Sequence, residues 1–249
     1  LLAAEAKPNS RFAGVQVGLN VPYSFGNPLM SGDEILANCV KLGFSGLELR
    51  LQPIESFLGI PADLVPSRGA VPAGAAGAAA AAKLSEWRKS VAMSKVAEFR
   101  RRYEAAGVSI DILKVDNIFK MSDAELDYAF NVAKAAGAHA ISTEITKHDD
   151  PKCNENHRRV GAFADKHQFP VGYHGHAATT PAHWEEAFGL AKFNYANVDL
   201  GHFVAGNNAS PVEFIKRHHA RISHVHVKDR TKNNGGNTPF GQGDTPIVE

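Results

Sequence analysis

The sequence repeats one pattern along its length: a short apolar run rich in β-branched residues, a polar or glycine-containing turn, and an amphipathic helical segment. The predicted strands are Val15–Leu19, Leu47–Arg50, Val108–Lys114, Ala140–Ile145, Val171–His174, Asn197–Leu200 and Ile222–Val227. The predicted helices are Gly32–Leu42, Glu86–Ala106, Asp123–Ala136, Glu155–Lys166, Pro181–Ala191 and Pro211–His218. Strands that alternate with helices at a spacing of about 30 residues are typical of βα units on a parallel sheet.

One insertion, at about residues 52–85, interrupts the regular spacing between the second and third strands. Its centre is rich in Gly, Pro and Ala, which predicts a mobile loop, although residues 78–83 could extend the following helix backwards. Because the insertion follows a strand, it should lie over the carboxyl ends of the strands, either as a lid or as a tolerated surface loop.

Two architectures are compatible with repeated βα units, a barrel and a doubly wound open sheet. The first strand is followed by Asn20-Val21-Pro22, with no glycine turn of the kind that binds dinucleotides in open sheets. We therefore expect an α/β fold, a (β/α)8 TIM barrel over residues 13–249, preceded by a tail at residues 1–12. Seven repeats are present, so the barrel is expected to be truncated before strand 8.

The charge balance argues against two classes of partner. Lys and Arg number 27 against 26 Asp and Glu, for a net charge of +1, so neither nucleic acid nor an anionic membrane is an expected partner. No apolar run approaches the ~18 residues of a membrane span. Cys39 and Cys153 lack metal-site or disulfide spacing. A homo-oligomer is compatible with this composition.

The N-terminal residues bear on localisation. Leu1-Leu2-Ala3-Ala4-Glu5-Ala6 resembles the end of a signal-peptide apolar region with a small-residue cleavage site. The alternative is an ordinary frayed terminus. Export to the periplasm and a cytoplasmic location therefore both stay open.

Polar side chains of the metal-ligand type follow four consecutive strands at the points where those strands end. They are Glu144 on the fourth strand, His174 and His176 on the fifth, Asp199 and His202 on the sixth, and His224, His226, Lys228 and Arg230 on the seventh. In a parallel barrel these strand ends converge on one concave site. Carboxylate oxygens and imidazole nitrogens together favour Mn, Zn, Co or Fe over Mg.

The placement of individual residues in this group follows from local geometry. Strand alternation puts His174 and His176 on one face, and Gly201 could turn the chain so that His202 returns towards the pocket. Glu48 could face the same pocket or serve as a structural residue. His148, His157, His218 and His219 are predicted to be solvated surface residues on helices or loops.

Several short motifs resemble those of the xylose isomerase-like barrels, the sugar phosphate isomerase/epimerase superfamily. They are Gly46-Leu47-Glu48-Leu49, Tyr173-His174-Gly175-His176, Asp199-Leu200-Gly201-His202, His224-Val225-His226-Val227-Lys228-Asp229 and Gly241-Gln242-Gly243. The resemblance covers residues 15–244. It implies that Asp199 and His226 ligate a divalent ion and that His202, Lys228 and Arg230 contact substrate.

The sequence departs from the family pattern at two ligand positions. His174 stands where the family has a strand-five Glu, and the strand-eight Glu would lie beyond Glu249. Glu144 could supply the missing carboxylate. The expected metal ligands are therefore Glu144, His174, Asp199 and His226, the expected catalytic residues are Glu144, His176, His202 and Lys228, and the expected substrate-binding residues are Glu48 and Arg230.

The resemblance implies a metal-dependent isomerase or epimerase that acts on a keto sugar through a metal-stabilised enediolate. A metal-dependent lyase or dehydratase acting on 3-keto-glycosides or related keto sugars is the alternative, because a neutral imidazole is a competent base near pH 7. The remaining hypotheses are an endonuclease of the abasic-site type and a non-catalytic sugar-binding barrel. For both the isomerase/epimerase and the lyase hypotheses, the expected partner is a small carbohydrate.

Overall fold

A computed structural model of the chain describes residues 7–65 and 74–248. The strands are β1 Arg11–Phe12, β2 Val15–Gln16, β3 Leu19–Val21, β4 Gly46–Arg50, β5 Ser109–Lys114, β6 Ala140–Glu144, β7 Val171–His174, β8 Asn194–Asp199, β9 Ile222–His226, β10 Asp229–Arg230 and β11 Asn237–Thr238. The α-helices are α1 Gly32–Leu42, α2 Leu51–Phe57, α3 Gly74–Ser90, α4 Met93–Ala105, α5 Asp123–Ala136, α6 Cys153–His167, α7 Pro181–Leu190, α8 Leu200–Asn207 and α9 Val212–His218.

The chain divides into two compact units, Leu1–Asp116 with Lys120–His139, and Asn117–Phe119 with Ala140–Glu249. In the first unit, β3, β4 and β5 pair in parallel, and β1 and β2 form a separate antiparallel hairpin. In the second unit, β6, β7, β8 and β9 pair in parallel in that order, and β10 pairs with β11. Each unit thus consists of βα repeats, as the sequence predicts.

The helices α1 and α5 begin and end where their capping residues require. Ser31 caps α1 in a capping box with Glu34, and Ser122 does the same for α5 with Glu125. Each helix ends at a glycine in the left-handed conformation, Gly43 or Gly137, whose amide satisfies the last carbonyls. The predicted bounds of both helices are therefore confirmed.

The predicted insertion is largely helical in its described part. The helix α2 follows β4 directly, and α3 runs to Ser90 before a break at Val91 and Ala92 separates it from α4. The prediction of one continuous helix over Glu86–Ala106 is therefore wrong, because Val91 and Ala92 leave the helical conformation and separate α3 from α4. The glycine- and proline-rich residues 66–73 lie outside the described residues.

A buried ion pair fixes α3 within the first unit. Arg88 donates from Nε and Nη2 to the two carboxylate oxygens of Glu55, at 2.8 and 3.3 Å, and from Nη1 to Glu125 at 3.0 Å. Arg88 and Glu55 are 7% and 1% exposed. A forked contact to one carboxylate and a single bond to a second determine the orientation of the helix as well as its position.

Two strand assignments from the sequence are shifted. The segment predicted as the first strand splits into β2, which forms the hairpin, and β3, which joins the parallel sheet. The sixth strand begins at Asn194, and the helix α8 takes over at Leu200, where the sequence predicts a strand end. Within the described residues, no helix combines the length and apolar character that a membrane crossing requires.

Candidate functional site

The strand β7 delivers the first two histidines of the second unit's site. All four of its residues are buried, and it ends at His174, whereas His176 lies in the loop that follows and is exposed. A side chain on Gly175 would collide with the ring of Trp184, so this position between the two histidines has to be glycine. The Thr179 hydroxyl accepts from the backbone N–H of His176 at 3.1 Å and fixes the turn.

The carboxylate of Asp199 is the centre of the cluster. Asp199 ends β8 and caps α8, with Oδ1 accepting from the backbone N–H of His202 at 2.9 Å. His202 therefore reaches the site because a helix starts here, and the predicted glycine turn at Gly201 is wrong. The other oxygen, Oδ2, is turned towards the polar side chains of neighbouring strands.

Four nitrogen atoms surround Asp199 Oδ2. They are Lys228 Nζ at 2.7 Å, His174 Nε2 at 3.4 Å, His202 Nε2 at 3.8 Å and His226 Nδ1 at 4.0 Å. Although burial raises it, hydrogen bonds from His174, Lys228 and the backbone of His202 hold the pKa of Asp199 well below its ordinary value. The carboxylate is thus held in its anionic form beside the ammonium of Lys228.

Glu144 lies on the other side of the His174 ring. Its Oε2 atom is 3.1 Å from His174 Nδ1 and 2.6 Å from His176 Nε2. His174 therefore contacts Glu144 through one ring nitrogen and Asp199 through the other. Potential metal-ligand atoms therefore lie close together in two overlapping groups of residues. One group is Glu144, His174 and His176, and the other is His174, Asp199 and His226.

His226 is oriented by a buried amide. Asn197 Nδ2 lies 3.3 Å from His226 Nε2 and 3.2 Å from the Ser142 hydroxyl, and Asn197 is fully buried on β8. This contact directs the opposite ring nitrogen, Nδ1, towards Asp199. The Oδ1 atom of Asn197 has no hydrogen-bond partner among the described residues. Turning this amide over would let Oδ1 accept from Nε2–H of His226 and leave Nδ1 free to bind a metal ion, which is how outer-shell groups orient metal-binding histidines.

A tight loop closes the end of the second unit next to Lys228. The buried Asp229 carboxylate accepts backbone N–H bonds from Gly241, Gln242, Gly243 and Thr245, at 2.8 to 3.1 Å. Backbone hydrogen bonds lower the pKa of Asp229, and the bond from Gly243 has the largest effect. The Gly-Gln-Gly motif is therefore folded around a carboxylate anion, as a turn.

Glu48 belongs to the first unit, where it lies buried on β4. The other sequence-predicted residues, Glu144, His174, His176, Asp199, His202, His226, Lys228 and Arg230, all lie in the second unit. Contacts of 2.5 to 4.0 Å connect these eight residues to one another.

A second group of potential ligands lies in the second unit, and the sequence reading missed it. Cys153, His157 and His183 are all buried, so the prediction of His157 as a solvated surface residue is wrong. Cys153 Sγ is 3.7 Å from His157 Nδ1 and 3.4 Å from His183 Nε2. The Cys-x-x-x-His spacing, which puts both residues on one face of α6, was the available signal.

Hydrogen bonding opposes a metal ion in this second group. The backbone N–H of Thr146 donates to His157 Nε2 at 3.3 Å, so Nε2 accepts and the ring proton is on Nδ1, facing the sulfur. A metal at Nδ1 would move that proton to Nε2, against the amide. Burial, and then the nearby His183, lower the pKa of His157 to about 4. The group is therefore a neutral hydrogen-bonded cluster that holds the segment after β6.

Comparison with known proteins identifies the fold. No protein-family model matches the chain, and no curated protein does. The probable 3-DHS dehydratase AsbF of petrobactin synthesis from Bacillus anthracis is 15% identical, with a TM-score of 0.64 over 94% of this chain and 86% of that chain. A xylose isomerase domain protein from Planctomyces limnophilus is 13% identical, with a TM-score of 0.60 over 93% and 83%.

A D-psicose 3-epimerase, solved in the presence of D-fructose, is also similar, at 12% identity and a TM-score of 0.55 over 93% of this chain and 78% of that chain. These likenesses show that the chain has the α/β fold of the xylose isomerase-like TIM barrels. The α/β TIM-barrel fold expected from the sequence is thereby confirmed.

Proposed function

We propose that this chain, which has the xylose isomerase-like barrel fold, is a divalent-metal-dependent enzyme that removes the proton from the carbon next to the carbonyl of a keto sugar. As an isomerase it would return a proton to the adjacent carbon, and as an epimerase it would return one to the opposite face of the same carbon. The observation that carries the proposal is the convergence of His174 Nε2, His226 Nδ1 and Asp199 Oδ2, beside an exposed carboxylate–imidazole pair. The similar D-psicose 3-epimerase supports a sugar as the substrate.

The three converging atoms fit a divalent ion. Ligands bound to one ion at about 2.0 to 2.2 Å lie about 3 to 3.6 Å from each other. His174 Nε2 is 3.4 Å from Asp199 Oδ2, and His226 Nδ1, at 4.0 Å from the same oxygen, would have to move closer by about 0.4 Å on binding. The ammonium of Lys228 lies 2.7 Å from the same oxygen, which shows that this carboxylate attracts a cation. Two nitrogens and one oxygen suit Mn, Zn, Co or Fe.

Glu144 has a different place from the other predicted ligands. It faces Nδ1 of His174, whereas Asp199 faces Nε2. We therefore assign Glu144 to orienting His174 and His176, in the way that outer-shell carboxylates orient metal-binding imidazoles. With three protein ligands, the ion would keep coordination positions for the oxygens of the substrate.

Each remaining side chain then has a distinct task. The ion, when bound, would polarise a substrate carbonyl and its adjacent hydroxyl. His176, with its Nε2 atom 2.6 Å from Glu144 and its ring exposed, takes the proton from the carbon next to the carbonyl and returns it. Lys228 and His202 donate to the oxygen on which negative charge develops.

An elimination reaction is the second candidate. The group placed to remove the proton includes an imidazole, and within the described residues of this site the other carboxylate, Asp199, is committed to Lys228 and His174. Epimerisation with a base on each face of the substrate therefore has less support here than one base acting from one side. The same enediolate could then expel a leaving group from the next carbon.

Metal binding is tested by comparing the wild-type chain with Asp199→Asn and with Glu185→Gln. Glu185 provides the matched control, because it also pairs with a histidine, His218, but on the surface. After dialysis, we expect about one Mn, Zn, Co or Fe per wild-type or control chain, and almost none in Asp199→Asn. Equal metal content in all three proteins would contradict the proposed site.

The reaction is tested in deuterium oxide with a panel of keto sugars and 3-keto-glycosides. An isomerase or epimerase would place one deuterium on carbon with no loss of atoms. A lyase would release water or an alcohol and give an absorbing unsaturated ketone. Absence of both exchange and release across the panel, with metal bound, would contradict the proposed function.

A further inference from the structure

Arg230 is held in place by a single backbone carbonyl. Its Nε and Nη2 atoms both donate to the Gly235 oxygen, at 3.0 and 2.6 Å. That fork directs the remaining nitrogen, Nη1, onto Nδ1 of His202. Three of the five guanidinium N–H groups therefore have partners within the chain, and these contacts fix the orientation of Arg230 relative to His202.

The contact with Arg230 determines where the proton of His202 lies. An arginine side chain has donors only and stays protonated at any ordinary pH. The ring nitrogen that faces it, Nδ1, must therefore accept. An imidazole whose Nδ1 accepts is neutral and carries its proton on Nε2.

The proton on Nε2 faces a second donor. His202 Nε2 is 3.3 Å from Lys228 Nζ, and an ammonium cannot accept a hydrogen bond. Two donors therefore point into the same small region, where the acceptor present is Asp199 Oδ2, 2.7 Å from Lys228 and 3.8 Å from His202. Paired donors of this kind best stabilise an oxygen that acquires negative charge between them.

We propose that Arg230 is a positioning residue that keeps His202 in the Nε2–H tautomer, so that His202 and Lys228 form a donor pair for the oxyanion of a sugar enediolate. This inference rests on the proposed function for its substrate. His202 then acts as a neutral hydrogen-bond donor, and proton removal from carbon belongs to His176 and Glu144. The ligand class is a ketose or keto-glycoside with its carbonyl oxygen at this pair.

The tautomer is tested first, on the full chain without added metal. In protein labelled with nitrogen-15 in histidine, spectra at neutral pH should show His202 with an unprotonated Nδ1 and a protonated Nε2; the signals are assigned from their loss in His202→Gln. In Arg230→Met the proton should redistribute between the two nitrogens, and Arg230→Lys, which keeps a donor, should restore part of the preference. A proton on Nδ1 in the wild type, or an unchanged tautomer in Arg230→Met, would overturn the inference.

Kinetics provide the second readout. Arg230→Met should lower kcat by about tenfold to a hundredfold, as for outer-shell partners, with unchanged metal content and KM within about threefold. Arg217→Met is the matched control, because the Arg217 side chain is 73% exposed, and it should behave as wild type. A raised KM with unchanged kcat would overturn the inference by assigning Arg230 to substrate binding. Because the tautomer is measured without substrate, it decides the inference even if no keto sugar reacts.

Discussion

The ammonium of Lys228 lies 2.7 Å from Oδ2 of Asp199, the carboxylate oxygen that the proposed metal ion would also bind. Asp199 is completely buried, whereas Lys228 is a third exposed and reaches the carboxylate from the solvent side. The lysine and a metal ion therefore compete for the same anion. Because of this competition, a substitution of Lys228 can distinguish an effect on metal binding from an effect on catalysis.

Lys228→Met should strengthen metal binding and weaken turnover. Without the ammonium, Asp199 has no competing cation, so we expect the metal dissociation constant to fall by about tenfold, which corresponds to ~1.4 kcal/mol. Loss of one donor to the developing oxyanion should lower kcat by about a hundredfold. Metal titration and steady-state kinetics of the same preparation check both expectations, with Lys216→Met on the surface as control.

The contradicting outcomes differ for the two halves of this prediction. Weaker metal binding in Lys228→Met would mean that the lysine supports the ion instead of competing with it. Unchanged turnover at saturating metal would remove Lys228 from the reaction. Each result is interpretable without knowing the natural sugar, provided that one substrate in the panel reacts.

Arg88→Leu should destabilise the first unit strongly. The substitution leaves the Glu55 carboxylate, which is 1% exposed, without its forked partner. Breaking a buried pair from one side typically costs about 3 to 5 kcal/mol. The free energy of unfolding in urea measures the effect, and Lys89→Leu, which breaks the surface pair with Glu86, should change it by less than about 1 kcal/mol.

The double variant Arg88→Leu with Glu55→Leu distinguishes an uncompensated charge from lost packing. If the cost comes from a buried charge, removing both partners should recover most of the stability, because apolar pairs replace buried ion pairs well. No recovery in the double variant would assign the loss to packing around α3.

Gly206→Ala should disturb the loop that carries His176. A side chain at Gly206 on α8 would collide with the backbone carbonyl of Ala177, which cannot move without shifting that loop. We expect a loss of about 1 to 3 kcal/mol in unfolding free energy and a lower kcat. Gly189→Ala on α7 is the matched control. Among the described residues, and apart from its chain neighbours and its own helix backbone, no atom lies within 4 Å of a Cβ placed there, so alanine should stabilise that helix by up to about 1 kcal/mol. Equal stability of the two variants would contradict this packing argument.

Local signals explain the elements that the sequence predicts well. The bounds of α1 and α5 can be predicted because each end depends only on a few neighbouring residues. Each helix begins with a capping box, at Ser31 or Ser122, and ends at a left-handed glycine, Gly43 or Gly137. The grouping of polar strand ends follows from the parallel topology, which brings carboxyl ends together. The four-ligand metal set stays a prediction.

Long-range packing accounts for what the sequence could not show. His157 lies on a polar-looking helix, and its burial depends on Tyr173 and His183, which meet it only in the folded chain. Likewise, no spacing indicates that Glu144 and Asp199 face opposite nitrogens of His174. Which ring nitrogen faces which carboxylate depends on the tertiary structure, and the order of residues along the chain does not determine it.

The buried cluster around His157 predicts a particular loss of stability in acid. The pKa of His157 in the folded chain is lowered from 6.5 to about 4, chiefly by burial and then by His183. As the pH falls, the unfolded chain therefore takes up this proton first. The stability from the neutral ring is complete above about pH 6.5 and is lost between that pH and about 4, by up to about 1.4 kcal/mol per pH unit.

Urea unfolding at a series of pH values between 7 and 4.5 measures this dependence, which should be weaker in His157→Gln, because glutamine has no proton to gain. His219→Gln is the control, since His219 is exposed and its ring contacts the backbone of Lys216, away from the cluster, and it should keep the wild-type slope. The pH slope is the decisive quantity, because it separates titration of the ring from a general loss of packing that lowers stability equally at every pH. A wild-type slope in His157→Gln would show that the ring is not the group that takes up the proton on unfolding.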